Sequence, residues 1–367
     1  MPDATPPADM TAPDHDIAGI ETTPVLDLGA FSTIDRLIPD LAVKRVVFVG
    51  EQHDRYDHHL IQLEIIRRLH ALNPNLAIGM EAFQQPFQWA LDEYIAGKLD
   101  EQAMLRTTEY YQRWRMDYRL YAPILRYARR HGLPVIALNL PAELTRQVGR
   151  QGIESLSAEA RDHLPSGIDR SDAAYEARLR EIYAQHPSHG DSRFERFLEV
   201  QLLWDEGMAE RAADYLEANP GRQLVILAGN GHVAWGNAIP GRLVRRLPVE
   251  TATIVNSWHG TIEPGLADYL LMPKEKSLPP AGKLGALLDT DGETVSVESC
   301  LTVSPCAAAG IRSGDRITRI DEATISSLAD LRLALWHRQP GETIRVGILR
   351  PRLLLKDKAM THEITLQ

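Results

Sequence analysis

The sequence predicts an α/β protein: a mostly parallel open sheet with flanking helices and a helical cap, followed by a small mixed β/α domain. Short apolar runs alternate with longer segments of helical periodicity over residues 32–256, as in repeated βαβ units. Polar, ionisable residues follow several of these runs directly, as at a ligand-binding sheet edge. Beyond residue 260 the periodicity shortens and turn signals increase, which indicates a second domain. A chain of 367 residues is long enough for both.

The first domain is predicted to contain five strands joined by helices. Apolar runs bounded by turn residues predict the strands, and apolar residues spaced three or four apart predict the helices. The predicted strands are 45–50, 75–80, 134–139, 223–228 and 250–256. The predicted helices are 32–41, 57–72, a block over 84–131 interrupted near Tyr110, and a block over 142–219 whose longest helix is 192–218. The last block is too long for a plain crossover, so we expect it to cap the carboxyl edge of the sheet.

Two of the predicted strands end in the same pattern, an apolar run followed by Gly-x-x-His. VVFVGEQHD contains Glu51 and His53 in this position, and LVILAGNGH ends on His232. Another strand runs into Glu81, and the next one ends on Asn139. Because parallel strands share one carboxyl edge, we expect His53, Glu81 and His232 to converge within roughly 10 Å. These residue types serve as acid–base groups or as metal ligands, and Glu51 and Asn139 are expected to support them.

Composition divides the chain into four parts. Residues 1–24 are rich in Pro, Asp and Thr and lack a signal-peptide pattern, so we expect a disordered tail. Residues 25–259 are the predicted first domain. Residues 260–279 lie in a proline-rich stretch and are expected to be a linker. Residues 280–367 are the predicted second domain, which we expect to fold alone.

The totals exclude some classes of function. A net charge of −10 gives no electrostatic support for binding nucleic acid, so no such partner is expected. No apolar run has the length of a membrane span. The two cysteines, Cys300 and Cys306, lack a zinc-site pattern. They either pair in an oxidising compartment or remain free thiols.

The second domain contains the stretch SPCAAAGIRSGDRITRID, a small-residue helical turn followed by Gly-Asp and a strand. This stretch resembles the core signature of PDZ domains, and a helix predicted over 326–337 and a strand over 343–350 continue the resemblance. The resemblance implies a loop whose backbone N–H groups bind the C-terminal carboxylate of a peptide or protein partner. The loop residues are Leu284, Gly285, Ala286 and Leu287. The alternative is a structural PDZ-like domain without a peptide ligand.

Five motifs in order connect the first domain with a known family. They are VVFVGEQHD, AIGMEAF, PVIALNLP, VQLLWDEGMAE and LAGNGHVAW. Together they resemble the ChaN-like haem-binding proteins, which share a superfamily with the Tiki, TraB and erythromycin-esterase proteins. The resemblance implies a haem cofactor, a role in iron or haem uptake or handling, a location in the cell envelope or periplasm, and subunits able to pair as a homodimer around haem. Because neither a signal peptide nor a lipobox occurs in this chain, a cytoplasmic location is the alternative.

The stretch EYYQRWRMDYRLY is the predicted haem wall. The resemblance implies a tyrosine as the iron ligand. The candidates are Tyr110, Tyr111 and Tyr118. Arg115 and the neighbouring arginines would lower the pKa of the phenol or bind the haem propionates, whereas the alternative is an amphipathic helix with solvated arginines. If no tyrosine binds iron, His53 or His232 is the expected ligand.

Two further pairs of polar residues are candidates for the site. Gln201 and Asp205 lie four residues apart on a predicted helix and therefore share a face. We expect them to orient the site residues, and the alternative is an ordinary helix surface. His186 and His189 lie between predicted helices of the cap, where they either contribute to a metal or haem site or form a surface loop.

Three functions fit these observations. The first is haem binding, with the PDZ domain recruiting a peptide or protein partner. The second is a metal-dependent hydrolase, a protease or esterase, in which His53, Glu81 and His232 hold a divalent metal ion that generates hydroxide. Without a metal, His53 or Glu81 would act as general base on a water. The third is a catalytically silent PDZ scaffold, and the family resemblance favours the first.

Overall fold

The described part of the chain forms two domains, each built on its own six-stranded sheet. A computed structural model describes residues 29, 31–185, 191–289, 294–353 and 355–367. The predicted tail over residues 1–24 lies outside the described residues, and so do His186 and His189.

The first domain is built around a parallel sheet that is buried on both faces. Its strands are β1 (Val46–Glu51), β2 (Leu76–Gln84), β3 (Val135–Asn139), β4 (Gln223–Gly229), β5 (Thr251–Asn256) and β6 (Tyr269–Leu271). The strand order is β3-β2-β4-β1-β5-β6, and the paired strands are parallel. Val47 and Val49 belong to one apolar cluster, while Val46 and Phe48 belong to the cluster on the opposite face. Burial on both faces explains why these strands are continuous apolar runs.

Helices cover both faces of this sheet. In the described part they are α1 (Ile34–Ala42), α2 (Tyr56–Leu72), α3 (Gln88–Ile95), α4 (Glu101–Thr107), α5 (Tyr110–Arg113), α6 (Ala122–His131), α7 (Ala142–Gln151), α8 (Ala158–Arg161), α9 (Ala173–Ala184), α10 (Asp191–Ala218), α11 (Asn230–Val233) and α12 (Ile239–Arg246). Helices α2 and α6 pack on one face, and α10 and α12 pack on the other. No helix among the described residues combines the length and the apolar character that crossing a membrane requires.

The predicted mostly parallel α/β architecture is confirmed, and all five predicted strands are present. The predicted linker over 260–279 is wrong in part, because Tyr269–Leu271 pairs with β5 as the edge strand of the sheet. A three-residue strand is too short to show a periodicity in the sequence, and the prolines around it concealed it. The first domain therefore extends at least to Leu271.

The order of the strands determines which residues meet at the carboxyl edge. In the sheet, β1 and β2 are not neighbours, because β4 lies between them. Glu51 at the end of β1 is paired with Gly229 at the end of β4. On the other side of β4, pairing with β2 stops at Met80, so Glu81 follows the last paired residue. The carboxyl-terminal parts of three adjacent strands thus place Glu51, Glu81 and Gly229 within one residue of the same level.

The second domain is a small antiparallel structure with its own apolar core. Its elements are β7 (Ala286–Asp289), β8 (Ser296–Cys300), α13 (Pro305–Ala308), β9 (Arg316–Ile320), β10 (Ala323–Thr324), α14 (Leu328–Leu335), β11 (Thr343–Arg350) and β12 (Lys358–Thr365). The strand order is β12-β11-β9-β8-β7, which leaves β7 at an edge, and β10 pairs with β9. Cys300 and Cys306 form a disulfide, so of the two alternatives for the cysteines the paired one is present.

Helix α14 of the second domain packs against the first domain. Leu333 is buried in the apolar cluster of the first domain rather than in that of its own domain. The ring of Trp336 stands edge-on to Tyr118 with a centroid distance of 5.1 Å. Arg332 Nη1 donates a hydrogen bond to the backbone oxygen of Arg115 at 2.9 Å. The two domains therefore share a packed interface, formed on one side by α14.

We predict that Leu333→Ala weakens the domain interface and leaves the second domain itself unchanged. In the full chain this substitution should lower the free energy of unfolding by about 2–3 kcal/mol, because a buried leucine is truncated. In the isolated segment 280–367 its effect should be within about 0.5 kcal/mol. Urea unfolding of both proteins measures this difference.

Leu331→Ala is the matched control, because Leu331 is buried in the core of the second domain. It should destabilise the full chain and the isolated segment alike. An isolated segment that unfolds without cooperativity would contradict the predicted independent folding of residues 280–367.

Candidate functional site

A cleft of about 270 Å³ lies at the carboxyl edge of the first sheet. Its lining residues are His53, Glu81, Ala82, Gln84, Arg113, Trp114, Asn139, Leu140, Ala142, Thr145, Trp204 and His232. His53, Glu81 and His232, which the sequence predicts to converge, all line this cleft, and this placement explains why two buried strands lead into histidines. Helices α7 and α10 close the cleft from above, as expected for the cap.

One side of the cleft is formed by a histidine held by a buried carboxylate. His53 Nδ1 lies 2.9 Å from Glu51 Oε1, and among the described residues the other ring nitrogen, Nε2, has no hydrogen-bond partner. Glu51 also accepts hydrogen bonds from Tyr121 Oη at 2.6 Å and from Gln62 Nε2 at 2.7 Å. Burial raises the pKa of Glu51, but the charge of His59 and the hydrogen bonds from His53 and Tyr121 lower it to about 2. Glu51 is thus a fixed anion that orients His53.

Burial and charge act in opposite directions on His53 as well. Burial lowers the pKa of this imidazole, whereas its hydrogen bond to Glu51 and the charge of Glu81 raise it. The net result is a pKa above the ordinary value of 6.5, although the nearby His232 opposes the increase. His53 is half-buried, with 31% of its side chain exposed, so its free nitrogen remains accessible from the cleft.

The opposite side of the cleft repeats this arrangement. His232 Nδ1 lies 2.6 Å from Asp205 Oδ1, and Tyr175 Oη donates to Asp205 Oδ2 at 2.6 Å. Although burial lowers the pKa of His232, the carboxylates of Glu81 and Asp205 raise it to about 9. At neutral pH His232 is therefore an imidazolium. Its other nitrogen, Nε2, lies 3.5 Å from Glu81 Oε1.

Glu81 lies between the two histidines. Its Oε2 accepts a hydrogen bond from the backbone N–H of Gly229 at 2.7 Å, and the Asn139 side-chain amide donates to its backbone oxygen at 3.2 Å. Gly229 is required here for space rather than for its backbone conformation. A Cβ atom at this position would lie 3.0 Å from His53 Cε1 and 3.3 Å from Nε2. The glycine of the Gly-x-x-His pattern after β4 thus permits His53 to approach this strand closely.

Aromatic rings and one arginine complete the walls. Trp114 contacts His53 edge-on, with 4.7 Å between ring centroids, and Trp204 faces His232 at 6.2 Å. Arg113 lines the same cleft, where Gln84 and Glu143 hold its guanidinium at 2.8 and 2.9 Å. The cleft therefore combines imidazole nitrogens, apolar ring surfaces and a cation.

The prediction that a tyrosine faces the cleft is wrong. Tyr110 and Tyr118 are 1% and 0% exposed, Tyr111 is 6% exposed, and all three belong to the apolar core. The Tyr118 hydroxyl donates to Glu101 instead. Burial is the main cause that raises the pKa of each phenol, which opposes formation of a tyrosinate. The physical reason is that this segment turns its rings inward to cover the sheet.

Two other predicted site residues lie away from the cleft. Arg115 is exposed and lines a groove beside the second domain, so Arg113 is the arginine of the cleft. Gln201 is half-buried on α10, one turn before Asp205, and it does not line the cleft. Asp205, the other residue of the predicted pair, contacts His232 Nδ1. Residues four apart on a helix share a face only approximately, which explains why one of the pair misses the site.

Four residues that shape the site received no individual role from the sequence. They are Gln62, Trp114, Tyr121 and Tyr175. Trp114 and Tyr121 were within the predicted haem wall, but periodicity does not tell which of its rings face the cleft. Gln62 and Tyr175 carried no local signal, since their partners are distant in sequence.

A metal-ligand arrangement is not among the features of this cleft. Within the residues that the structure describes, no group of three His, Cys, Asp or Glu side chains is arranged to hold a metal ion. The Nδ1 atoms of His53 and His232 each contact a carboxylate. The Glu81 carboxylate contacts His232 and accepts a hydrogen bond from a backbone N–H. The site therefore favours acid–base chemistry or a ligand that needs one imidazole nitrogen.

We predict that the proton on His232 stabilises the fold up to alkaline pH. Its pKa, measured by NMR titration, should lie near 9 against an ordinary value of 6.5. Because the folded-state pKa is the higher one, the stabilisation is complete below pH 6.5 and is lost as the pH rises to about 9. Asp205→Asn should bring the pKa toward 6.5 and reduce the alkaline loss. A His232 pKa of 6.5 or lower in the parent protein would contradict this arrangement.

The sequence matches two known families. Residues 37–243 match the family described as haem-binding uptake, Tiki superfamily, ChaN, and residues 282–366 match the PDZ domain. A curated relative, Protein RETICULATA-RELATED 5, chloroplastic, from Arabidopsis thaliana, is 27% identical over 233 residues. The match covers 58% of this chain and 31% of that protein, so the chain spans about a third of the length of this relative.

Solved structures with the same fold include ChaN of Campylobacter jejuni, described with cofacial haem binding. That structure is 17% identical, covers 66% of this chain and 92% of its own, and has a TM-score of 0.54. A mutant of the erythromycin esterase EreC in its open conformation is 15% identical, covers 60% of this chain and 72% of its own, and has a TM-score of 0.39, too low to carry an argument. Because the first family match covers more than half of the chain, this protein belongs to the ChaN haem-binding uptake family of the Tiki superfamily and carries a C-terminal PDZ domain.

Proposed function

We propose that this protein binds haem in the cleft, where His53 Nε2 would hold the iron, and serves iron or haem uptake or handling. The observation that carries the proposal is the pair formed by Glu51 and His53, which leaves one imidazole nitrogen free in a cleft with aromatic walls. Iron-binding histidines generally donate their other ring nitrogen to a carboxylate or carbonyl in this way. When bound, haem would supply a redox-active iron in this cleft.

The other residues of the cleft fit the remaining parts of haem. Trp114 offers an apolar ring surface beside His53. Arg113, which pairs with Glu109 and Glu143, would exchange one of these carboxylates for a propionate. His232 is the weaker candidate for the iron ligand, because a pKa of about 9 leaves only about one molecule in a hundred neutral at pH 7. We therefore assign His232 to charge balance near Glu81 and a propionate, and His53 to the iron.

The size of the cleft supports pairing of two subunits around the cofactor. At about 270 Å³ it is smaller than the roughly 300–1,000 Å³ of typical small-molecule sites. A macrocycle bound there would stay partly uncovered, and a second copy of the chain is the proposed cover. Sedimentation of the protein with and without hemin tests this, and a monomer in both conditions would count against the homodimer.

We predict that His53→Gln abolishes the saturable Soret band of a hemin titration. Glutamine keeps the polarity of the side chain but offers no imidazole to iron. His70→Gln is the matched control, since His70 pairs with Tyr127 on another face of α2 and should bind hemin like the parent. Phe substitutions of Tyr110, Tyr111 and Tyr118 should leave the band in place. The assignment fails if His53→Gln retains the parent's band and one of the Phe variants loses it.

Gly229→Ala should weaken hemin binding by about tenfold, as disturbing the support of a metal ligand does. The added Cβ would lie 3.0 Å from His53 Cε1 and displace the ring. Gly231→Ala is the control, because a Cβ at that position has no heavy atom within 4 Å. Equal hemin affinities of the two variants would show that the position of His53 does not matter for binding.

A hydrolase that acts by acid–base chemistry is the second candidate. The observation that favours it is the pair of carboxylate-bound histidines facing Glu81, which provides a general base and a charged group within one cleft. In this case the haem-free protein hydrolyses esters or peptides, and Glu81→Gln abolishes the activity. Sensitivity to a chelator would assign a metal ion to His53, Glu81 and His232. A protein that neither binds hemin nor hydrolyses a substrate would be the silent scaffold.

The PDZ domain is proposed to bind the C-terminus of a peptide or protein. The backbone N–H groups of Leu284 and Gly285 have no backbone acceptor within the described part of the chain, and Gly285 has a φ of 69°. Adjacent N–H groups in such a turn converge on an anion. The Leu287 side chain is 52% exposed, so this residue would contact a peptide through its backbone. The Leu288 side chain lines the groove beside α14. If the domain recognises the C-terminal carboxylate, amidation of the peptide's C-terminus should abolish binding.

The disulfide supports a location in the cell envelope or periplasm. Disulfides persist in oxidising compartments and are reduced in most cytoplasms. Thiol alkylation of freshly lysed cells, followed by mass spectrometry of the peptides with Cys300 and Cys306, tests this location. Alkylation of both cysteines without prior reduction would point to the cytoplasmic alternative.

A further inference from the structure

A groove of about 350 Å³ runs between β7 and α14 and is shared by both domains. Its apolar part consists of Met116, Leu288, Leu328, Leu331 and Leu335. The four leucines belong to the PDZ domain and lie where an added peptide strand would place its side chains. Met116 belongs to the first domain, which therefore forms one wall of the groove that a peptide would enter.

The rim of the groove carries more positive than negative charge. Arg115, Arg119 and Arg332 line it together with one carboxylate, Asp117. Asp117 is paired with Arg119 at 2.5 Å. Within the described residues, neither Arg115 nor Arg332 forms an ion pair, and Arg332 instead donates to the backbone of Arg115. In a protein with a net charge of −10, two unpaired arginines at one groove are a local complement to an acidic ligand.

The wall of the groove is continuous with the wall of the cleft. We call residues 114–119 the bridging segment. Its first residue, Trp114, contacts His53 at 4.7 Å, and the next residue, Arg115, lies at the groove. Arg115 has a φ of 69°, an unfavourable value for a residue other than glycine. The hydrogen bond from Arg332 on α14 to the Arg115 oxygen helps to hold this conformation.

We propose that the groove binds the C-terminus of an acidic peptide, with Arg115 and Arg332 contacting its carboxylates, and that binding shifts Trp114 against His53. The proposal rests on the proposed peptide-binding function of the PDZ domain and adds the class of partner and its connection to the cleft. A carboxylate that draws the Arg332 side chain toward the peptide would pull Nη1 away from the Arg115 oxygen. Release of that bond frees the bridging segment, whose other end is the wall of the candidate site.

The selectivity is tested with fluorescein-labelled octapeptides that end in leucine. One contains two glutamates, the second contains glutamines at these positions, and the third is the acidic peptide with an amidated C-terminus. Fluorescence anisotropy should show the acidic peptide binding about twofold to fivefold more tightly than the glutamine peptide for each arginine engaged. The amidated peptide should not bind. Equal affinity for the acidic and the glutamine peptide would overturn the proposed selectivity.

Arg115→Gln and Arg332→Gln should each reduce this preference, because the ratio of the affinities for the acidic and the glutamine peptide falls when one arginine is removed. Arg345→Gln is the matched control, because Arg345 pairs with Glu322 at 2.6 Å outside the groove. It should keep the full preference for the acidic peptide. Retention of the preference in both groove variants would also overturn the proposal.

The connection to the cleft is tested without haem, by following the tryptophan indole N–H signals of ¹⁵N-labelled protein. The Trp114 signal is assigned by its loss in Trp114→Phe, and it should shift as the acidic peptide saturates the groove. If only the Trp336 signal moves, peptide binding stops at the PDZ domain and the connection is refuted. A shift of Trp114 in a protein that fails to bind hemin would support this inference and overturn the proposed haem function alone.

Discussion

The site depends on two hydrogen bonds, each between a buried carboxylate and a histidine. Glu51 and Asp205 are 3% and 1% exposed, and each holds one cleft histidine by its Nδ1 atom. An unpaired charge in such a position costs several kcal/mol, so each carboxylate needs its full set of donors. Tyr121, directly before α6, donates to Glu51, and Tyr175 on α9 donates to Asp205. The surrounding helices are thereby tied to the orientation of the two imidazoles.

Sheet topology decides that these pairs face each other. Because β4 is inserted between β1 and β2, the carboxyl ends of three adjacent strands meet at one edge, and Glu81 lies between two histidines. Gly229 keeps the space open where His53 approaches β4. The cap then adds Trp204 and Asp205 from α10. The strand order thus brings the charged residues of the cleft to one edge of the sheet.

Strands and helices could be predicted, because their apolar residues recur with a local period. Contacts between residues that are far apart in the sequence could mostly not be predicted. Strand ends such as those at His53 and His232 could be placed, because parallel strands share an edge and their apolar runs are continuous. The short edge strand within the predicted linker had no period to reveal it. The aromatic segment was found, yet its tyrosines were assigned to the cleft although they fill the core and Trp114 lines the wall. Packing at an interface between domains, as at Leu333, leaves no mark in the sequence of either domain.

The central claim is that an imidazole held by Glu51, and not a phenol, is the group that this cleft offers to iron. Resonance Raman spectroscopy of the hemin complex tests it most directly, using protein labelled separately with ¹⁵N-histidine and with ring-deuterated tyrosine. The claim predicts an iron–ligand band that shifts with the histidine label and is absent from His53→Gln. Phenolate bands that shift with the tyrosine label would contradict it, because they require a tyrosine to leave the core and enter the cleft.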